Sequence, residues 1–295
     1  MWSSDYHGLL VIDKPVGLTS RAAVDGAAGW FPRKTRIGHT GTLDPLASGV
    51  LVLCVGHATR LTEYVQAMPK MYAADLILGA SSVTDDTEGP ITSVRVGTPP
   101  SRAAVAAALS TFVGLIEQVP PAYSAAKVGG RRAYDLARGG AAVALAPRTV
   151  RIDAIDLAEF DYPRLRIEVR CGKGTYIRAL ARDLGDRLGC GAYVDGLRRT
   201  RVGPFSADDA VPLECDAETA RGRLLPMTAA VANLPQVNLP PDAVKRLRTG
   251  QTASTSEDLP GNGEVAILNQ SGGLAAIAFA DDSGRRLRPA KVFPA

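Results

Sequence analysis

The sequence predicts an α+β fold, and three observations carry that expectation. Two short apolar runs, Leu9-Leu10-Val11-Ile12 and Val50-Leu51-Val52-Leu53-Cys54-Val55, have the length and composition of buried strands. Residues 164–171 alternate instead, with Leu165, Ile167, Val169 and Cys171 on one face, the period of a half-buried strand. Ile177, Leu180, Ala181, Leu184 and Leu188 then recur at helical spacing. At 295 residues and 46% hydrophobic content, the chain suffices for one large domain, or for a large domain with a small one.

The first apolar run ends in the loop Asp13-Lys14-Pro15-Val16-Gly17, after which Thr19 or Ser20 can cap a helix reaching about Trp30. Residues 57–66 read as a helix, and residues 70–78 as a strand beginning Lys70-Met71-Tyr72. The loop at 83–90 carries Asp85-Asp86-x-Glu88, for which a solvated loop is expected rather than a divalent metal site. Ser101 caps an alanine-rich helix, with Gly114 as its stop. Gly172-Lys173-Gly174-Thr175 is not a phosphate loop, because no glycine stands five residues before Gly172 and Lys173 is followed by Gly174. Thr175 is instead expected to cap the next helix. Arg178 then falls in the first turn, where the macrodipole disfavours a cation, so an anionic partner is expected. Residues 194–201 read as a turn and a strongly basic strand, and acidic, proline-punctuated sequence around 205–230 marks a boundary. The expected domains are 1–228 and 229–295, the second built of short strands, glycine turns and one short helix.

Net charge is +4 and the pI about 8.9, so global charge is only mildly basic and local clustering has to identify a polyanionic partner. One cluster stands out. Between Lys127 and Arg151 there are six basic residues (Lys127, Arg131, Arg132, Arg138, Arg148, Arg151) and one acid, Asp135, flanked by Gly129-Gly130 and Gly139-Gly140. An arm of that kind suits phosphate binding. The four cysteines form no Cys-x-x-Cys pair and the three histidines are scattered, so neither a metal site nor a disulfide framework is expected. Met1-Trp2-Ser3-Ser4-Asp5 lacks a basic n-region followed by an apolar run, and no apolar stretch approaches about eighteen residues. A cytoplasmic protein without membrane contact is expected.

The densest stretch of chemistry is Gly38-His39-Thr40-Gly41-Thr42-Leu43-Asp44-Pro45-Leu46-Ala47-Ser48-Gly49. Three glycines let backbone approach a ligand closely, and the apolar run that follows anchors the loop. Pro45 holds Asp44 away from helical backbone. An isolated Asp-Pro is usually a turn opener. The whole string, however, resembles the motif G-H-x-G-x-L-D-P-x-A-x-G-x-L of the bacterial tRNA pseudouridine synthases of the TruB type, in which the aspartate is the nucleophile.

Further motifs follow in the family's order over roughly residues 8–205. Lys14-Pro15 with Thr19-Ser20 resembles its first motif, a structural support. Tyr123-Ser124-Ala125-Ala126-Lys127 with the following glycines resembles its thumb insertion, about 120–150, which implies that Lys127, Arg131 and Arg132 bind RNA. Lys173-Gly174-Thr175-Tyr176-Ile177-Arg178 resembles the motif whose arginine pairs with the nucleophilic aspartate. The resemblance implies that Tyr72 stacks on the base and takes the C5 proton, that Leu197 packs against the base, and that His39 stabilises the flipped-out nucleotide. It implies a pseudouridine-synthase-like catalytic domain with a mixed, largely antiparallel sheet flanked by helices, closed by a small PUA-like β-barrel. The implied partner is tRNA and the implied target uridine 55 of the T-arm; that chemistry needs no metal or other cofactor, and a monomer is expected. Asp44 serves either attack at C1′ or addition at C6 of the base. Two rivals stand beside this reading. A non-catalytic RNA-binding or tRNA-folding protein needs the basic arm but not an Asp44–Arg178–Tyr72 set, and a nucleoside or glycoside hydrolase usually wants a second carboxylate as acid.

Overall fold

Strand pairing organises the chain into two main sheets. The computed structural model describes residues 6–124, 127–128, 131–132 and 145–294. The first sheet contains β1 (Gly8–Lys14), β2 (Ile37–His39), β3 (Ala47–Val55), β4 (Lys70–Leu78), β7 (Gly114–Gln118), β10 (Arg148–Asp161), β11 (Arg164–Cys171), β12 (Ala192–Val202), β13 (Phe205–Ser206) and β14 (Val211–Pro212). Hairpins β5 (Ala80–Ser82)–β6 (Ile91–Ser93) and β8 (Lys127–Val128)–β9 (Arg131–Arg132) stand apart from it. Its order is β14-β1-β3-β12-β4-β11-β10-β7, with β2 on β3 and β13 on β12. Only β1–β14 and β12–β3 are parallel, so the sheet is mixed and largely antiparallel, as expected.

The helices are α1 (Ser20–Ala28), α2 (Thr62–Ala67), α3 (Arg102–Ser110), α4 (Ile177–Leu188), α5 (Ala217–Gly222) and α6 (Pro241–Arg248). Helices α3 and α4 pack on the alternating face of β11, where Leu165, Ile167, Val169 and Cys171 are buried with Leu76, Val105, Leu180 and Leu184. Helix α1 covers another part of the sheet through Ala23, Val24 and Ala27, against Leu10, Ile12, Leu51 and Leu53. Tyr72 and Leu197 pack against both clusters, so they stand at the seam between the two halves of the core.

Two glycines allow the close approaches that build this seam. Gly49 has φ +102° and lies opposite Arg199 in the parallel β3–β12 pair; a Cβ there would sit 2.2 Å from the Arg199 carbonyl oxygen. A Cβ on Gly185 would sit 2.1 Å from the Ala192 amide, so α4 reaches β12 only because that position is bare.

Several local expectations change. Residues 57–66 are not one helix: a 3₁₀ segment, Gly56–Leu61, precedes α2. Thr59 and Thr62 each donate a hydroxyl to the carbonyl three residues earlier, which favours the tighter winding. The turn expected near 194 is a bulge within β12, where the register shifts between Val194 and Gly196. Thr175 does not cap α4. Its hydroxyl donates back to the Gly172 carbonyl, and Tyr176 occupies the cap position without a side-chain bond.

The second sheet, β15 (Gln236–Asn238), β16 (Ala253–Ser254), β17 (Glu264–Leu268), β18 (Leu274–Ala280) and β19 (Arg286–Val292), runs in the order β15-β17-β18-β19-β16 and packs α6 against it. It is docked on the first sheet through shared core: Ala266, Leu274, Ile277 and Phe293 join Leu9, Val11, Val52 and Met68. Polar contacts rim that junction, with Tyr64 donating to Glu264 at 3.0 Å and Lys291 paired with Glu63. Among the described residues no helix is long and apolar enough to cross a membrane.

Candidate active site

Asp44 lies in the loop joining β2 to β3, and the sequence just after β1 braces that loop from beneath. The Ser20 hydroxyl donates to the Leu43 carbonyl at 2.9 Å and accepts from the Leu43 amide at 2.7 Å. Gly17 donates its amide to the Pro45 carbonyl at 2.8 Å. The fully buried Lys14 donates to the carbonyls of Pro15 and Leu18, which fixes the chain that supports Pro45. Burial lowers the Lys14 ammonium to about 8, against the pull of Asp44 and Glu88. The supporting role implied for Lys14-Pro15 and Thr19-Ser20 thus has a geometry.

Arg178 is 4% exposed at the start of α4 and joins two carboxylates. Its Nη2 lies 2.8 Å from Asp44 Oδ2, and its Nη1 2.9 Å from Asp86 Oδ2. Nη1 also donates to the Thr84 carbonyl and Nη2 to the Tyr123 carbonyl. The anionic partner expected from a cation in a first helical turn is therefore double. Asp86 is fully buried and also accepts from the Thr84 hydroxyl and the Glu88 amide. One turn along α4, Arg182 holds Asp85 at 3.0 Å.

The 83–90 loop is solvated at Val83, Thr87, Glu88 and Pro90, as its composition suggests, but Asp85 and Asp86 turn inward. Its two aspartates serve as counter-ions to Arg178 and Arg182 of α4. Among the described residues no cluster of His, Cys, Asp and Glu could hold a metal ion.

A cleft of about 470 Å³ opens above this network, lined by Asp44, Tyr72, Tyr176, Arg178, Leu197 and Arg199, with Lys70 and Lys173 at its margin. Period-two alternation puts Leu197 and Arg199 of β12 on one face, and pairing with β4 sets Arg199 opposite Tyr72. Burial raises the Asp44 carboxyl above its ordinary range, and Asp86 pushes the same way, while Arg178 and Lys14 oppose it. Burial also raises the Tyr72 phenol, and the Arg199 guanidinium pulls it back.

The family model described as "TruB family pseudouridylate synthase (N terminal domain)" matches residues 30–177, and that described as "tRNA pseudouridylate synthase B C-terminal domain" matches residues 178–232. A curated "tRNA pseudouridine synthase B" from Xanthomonas campestris pv. campestris (strain B100) is 41% identical over 293 residues, covering 97% of this chain and 94% of the relative. The chain belongs to the TruB family of pseudouridylate synthases.

Its relatives of the same name include one from Thiobacillus denitrificans, 42% identical over 278 residues (93% of this chain, 92% of the relative). Among solved structures, a Cbf5-Nop10-Gar1 complex is 26% identical at a TM-score of 0.75, covering 98% of this chain and 85% of that one. An H/ACA RNP bound to a substrate RNA containing 2′-deoxyuridine has the same TM-score at 24% identity, over 98% of this chain and 86% of that one, a likeness of fold alone. The mixed sheet flanked by helices is the pseudouridine synthase fold expected from the motifs.

In this TruB-family chain, four of the residues singled out by motif, Asp44, Tyr72, Arg178 and Leu197, meet in one cleft. His39 does not join them. It ends β2, one residue before the cleft-lining Thr40, and pairs with Leu53 of β3. The side chains of Lys127, Arg131 and Arg132 lie outside the described residues, as do Arg138 and both glycine pairs of the arm. Arg148 and Arg151 are described on β10, and Arg151 pairs with Asp153. Sequence reading missed Asp86 and Arg199. Arg199 was within reach, because it stands two residues from Leu197 in a strand; nothing in the sequence separates Asp86 from an ordinary loop acid.

Proposed function

We propose that this chain converts uridine 55 in the T-arm of tRNA to pseudouridine. The observation that carries the proposal is the Asp44–Arg178 pair at 2.8 Å on the floor of a cleft that also holds Tyr72 and Leu197. Asp44 supplies the nucleophilic carboxylate, acting at C1′ or C6, and Arg178 favours its ionised form inside a partly desolvated site. Leu197 and Tyr72 sandwich the flipped base, and Tyr72 takes the proton from C5. For the hydrolase alternative, Asp44 is the one carboxylate among the described residues that lines the cleft. The second carboxylate, Asp86, is fully buried and bound to Arg178, so it is not placed to protonate a leaving group. A T-arm transcript carrying tritium at C5 of its uridines tests the proposal: tritium release with pseudouridine formed supports it, and bound RNA without release identifies an RNA-binding protein.

Residues 1–228 form the proposed catalytic domain, with residues 120–150 as thumb, and residues 229–295 the PUA-like RNA-binding domain. The five-stranded second sheet with α6 supports that assignment. The enzyme is proposed to act as a monomer.

Tyr72→Phe keeps the ring and removes the hydroxyl. It is expected to bind tRNA normally and to lose product formation by roughly a hundredfold or more, the usual scale of general-base catalysis. Near-wild-type pseudouridine formation by this variant assigns proton removal to another group. In the arm, neutralising Arg131, Arg132 and Arg138 together is expected to weaken tRNA binding and reduce its salt slope by roughly one for each phosphate that is no longer neutralised. Turnover at saturating tRNA is expected to persist. A salt series of equal slope for wild type and triple variant removes the arm from the RNA path.

A further inference from the structure

Arg199 is 2% exposed in the centre of the sheet, yet it lines the cleft. Its Nε donates to the Val50 carbonyl at 2.7 Å and its Nη2 to the Gly41 carbonyl at 3.1 Å, while Nη1 reaches toward the Thr42 carbonyl. The side chain therefore clasps the loop that carries Asp44, which Ser20 also holds. Among the described residues, no carboxylate lies within ion-pair distance of it. Arg178, equally buried, has two. A buried guanidinium whose partners are neutral carbonyls and a neutral phenol retains an uncompensated charge, an unfavourable arrangement unless an anion arises beside it. The group facing it across the strand pair is the Tyr72 phenol.

We infer that Arg199 is the positioning residue for proton removal: tied to the Gly41-Thr42 backbone and set across from Tyr72, it fixes the phenolic oxygen relative to the stacked uracil and stabilises the phenolate. This rests on the assignment of Tyr72 as base made above. In the step itself, the C5–H bond breaks and its electron pair becomes the C5=C6 double bond of the product. The proton passes to the Tyr72 phenolate, and the phenol so formed returns it to solvent. At C6 the bond that gives way is the C6=N1 π bond, whose pair goes to N1 and takes a proton from solvent, or, after addition at C6, the bond to the Asp44 carboxylate, which leaves with its electron pair. No oxidant or further reactant is needed.

The charges around Tyr72 agree with this division of labour. Burial and the charge of Asp44 in the loop hold the phenol in its neutral form, and Arg199 opposes them. Cys171 on β11 is pushed up to about 11 by burial, so it stays a neutral thiol through the working range and adds no charge beside the phenol. Lys70, two residues along β4, donates to the carbonyls of Gln66 and Met68.

The test compares wild type, Arg199→Met and Arg199→Lys on two T-arm transcripts. One carries tritium or deuterium at C5, and the other carries 5-fluorouridine, whose fluorine cannot leave as a cation. The second substrate therefore passes bond exchange and stops before proton removal. For R199M, tritium release at pH 7.5 is expected to slow by roughly a hundredfold, at least about tenfold more than consumption of the fluorinated transcript slows. A deuterium isotope effect at C5 should appear, and the pH at which release rises should move upward. R199K, which keeps the charge, should recover about tenfold of the loss. Equal slowing on both transcripts means that Arg199 only holds the Asp44 loop, and it overturns the inference. If R199M does not fold, the same comparison with R199K decides, because charge without the fork should shift the isotope effect and slow tritium release more than it slows consumption of the fluorinated substrate. Wild type that acts on neither transcript rejects the pseudouridine assignment rather than the role of Arg199.

Discussion

Asp44→Asn is expected to abolish isomerisation, by at least about 10⁴-fold, while tRNA affinity stays within a few-fold, because the nucleophile is lost and distributed phosphate contacts are not. The same variant is expected to be at least as stable as wild type at pH 7. Burial raises the Asp44 carboxyl in the folded chain, so its stability contribution is fully present below the unfolded-state carboxylate range and is lost as pH rises through the higher folded value. The neutral amide avoids that loss. Catalysis runs in the opposite direction, since only the ionised form attacks. The acid limb of the wild-type rate should therefore lie above the ordinary carboxylate range. Single-turnover rates across pH, with thermal unfolding of both proteins at pH 7, check these points. Turnover within tenfold of wild type removes Asp44 from the nucleophile's position, and clear destabilisation at neutral pH means that the Arg178 pair outweighs desolvation.

Arg178→Met is expected to cost about 3–5 kcal/mol of folding stability, the scale for breaking a buried ion pair by removing one partner. The reason is Asp86, which has no exposed surface and would be left buried without its counter-ion. Activity should fall with it, because Asp44 loses its only arginine partner among the described residues. The double variant Arg178→Met/Asp86→Asn separates the two effects. It should regain much of the stability, since the orphaned carboxyl is gone, and none of the activity, since Asp44 is still unsupported. Denaturant unfolding of the two variants and of Asp86→Asn alone forms the cycle. A loss below about 1 kcal/mol for R178M would mean that water or a shift of the 83–90 loop compensates the buried charge.

The sequence by itself determined the elements whose signals are local. The alternation of Leu165, Ile167, Val169 and Cys171 is β11 to the residue, because period two follows from the pleat alone. The spacing of Ile177, Leu180, Ala181, Leu184 and Leu188 is α4, although its first turn starts without the Thr175 cap. Asp44, Tyr72, Arg178 and Leu197 were legible as family motifs, each a short string with a fixed register to its neighbours. The tertiary structure decided which charges meet. Asp85 and Asp86 look like solvent-facing acids in a polar loop, and only the docking of that loop against α4 buries Asp86 and pairs it with Arg178 from 92 positions away. Arg199 is one of several arginines in a basic run, and only the pairing of β12 between β3 and β4 turns it inward toward Tyr72 while Arg198 turns out to Asp13. Sequence pattern reports which side of an element is apolar. It does not report which distant polar group that side will meet, because a buried ion pair depends on the position of two elements at once.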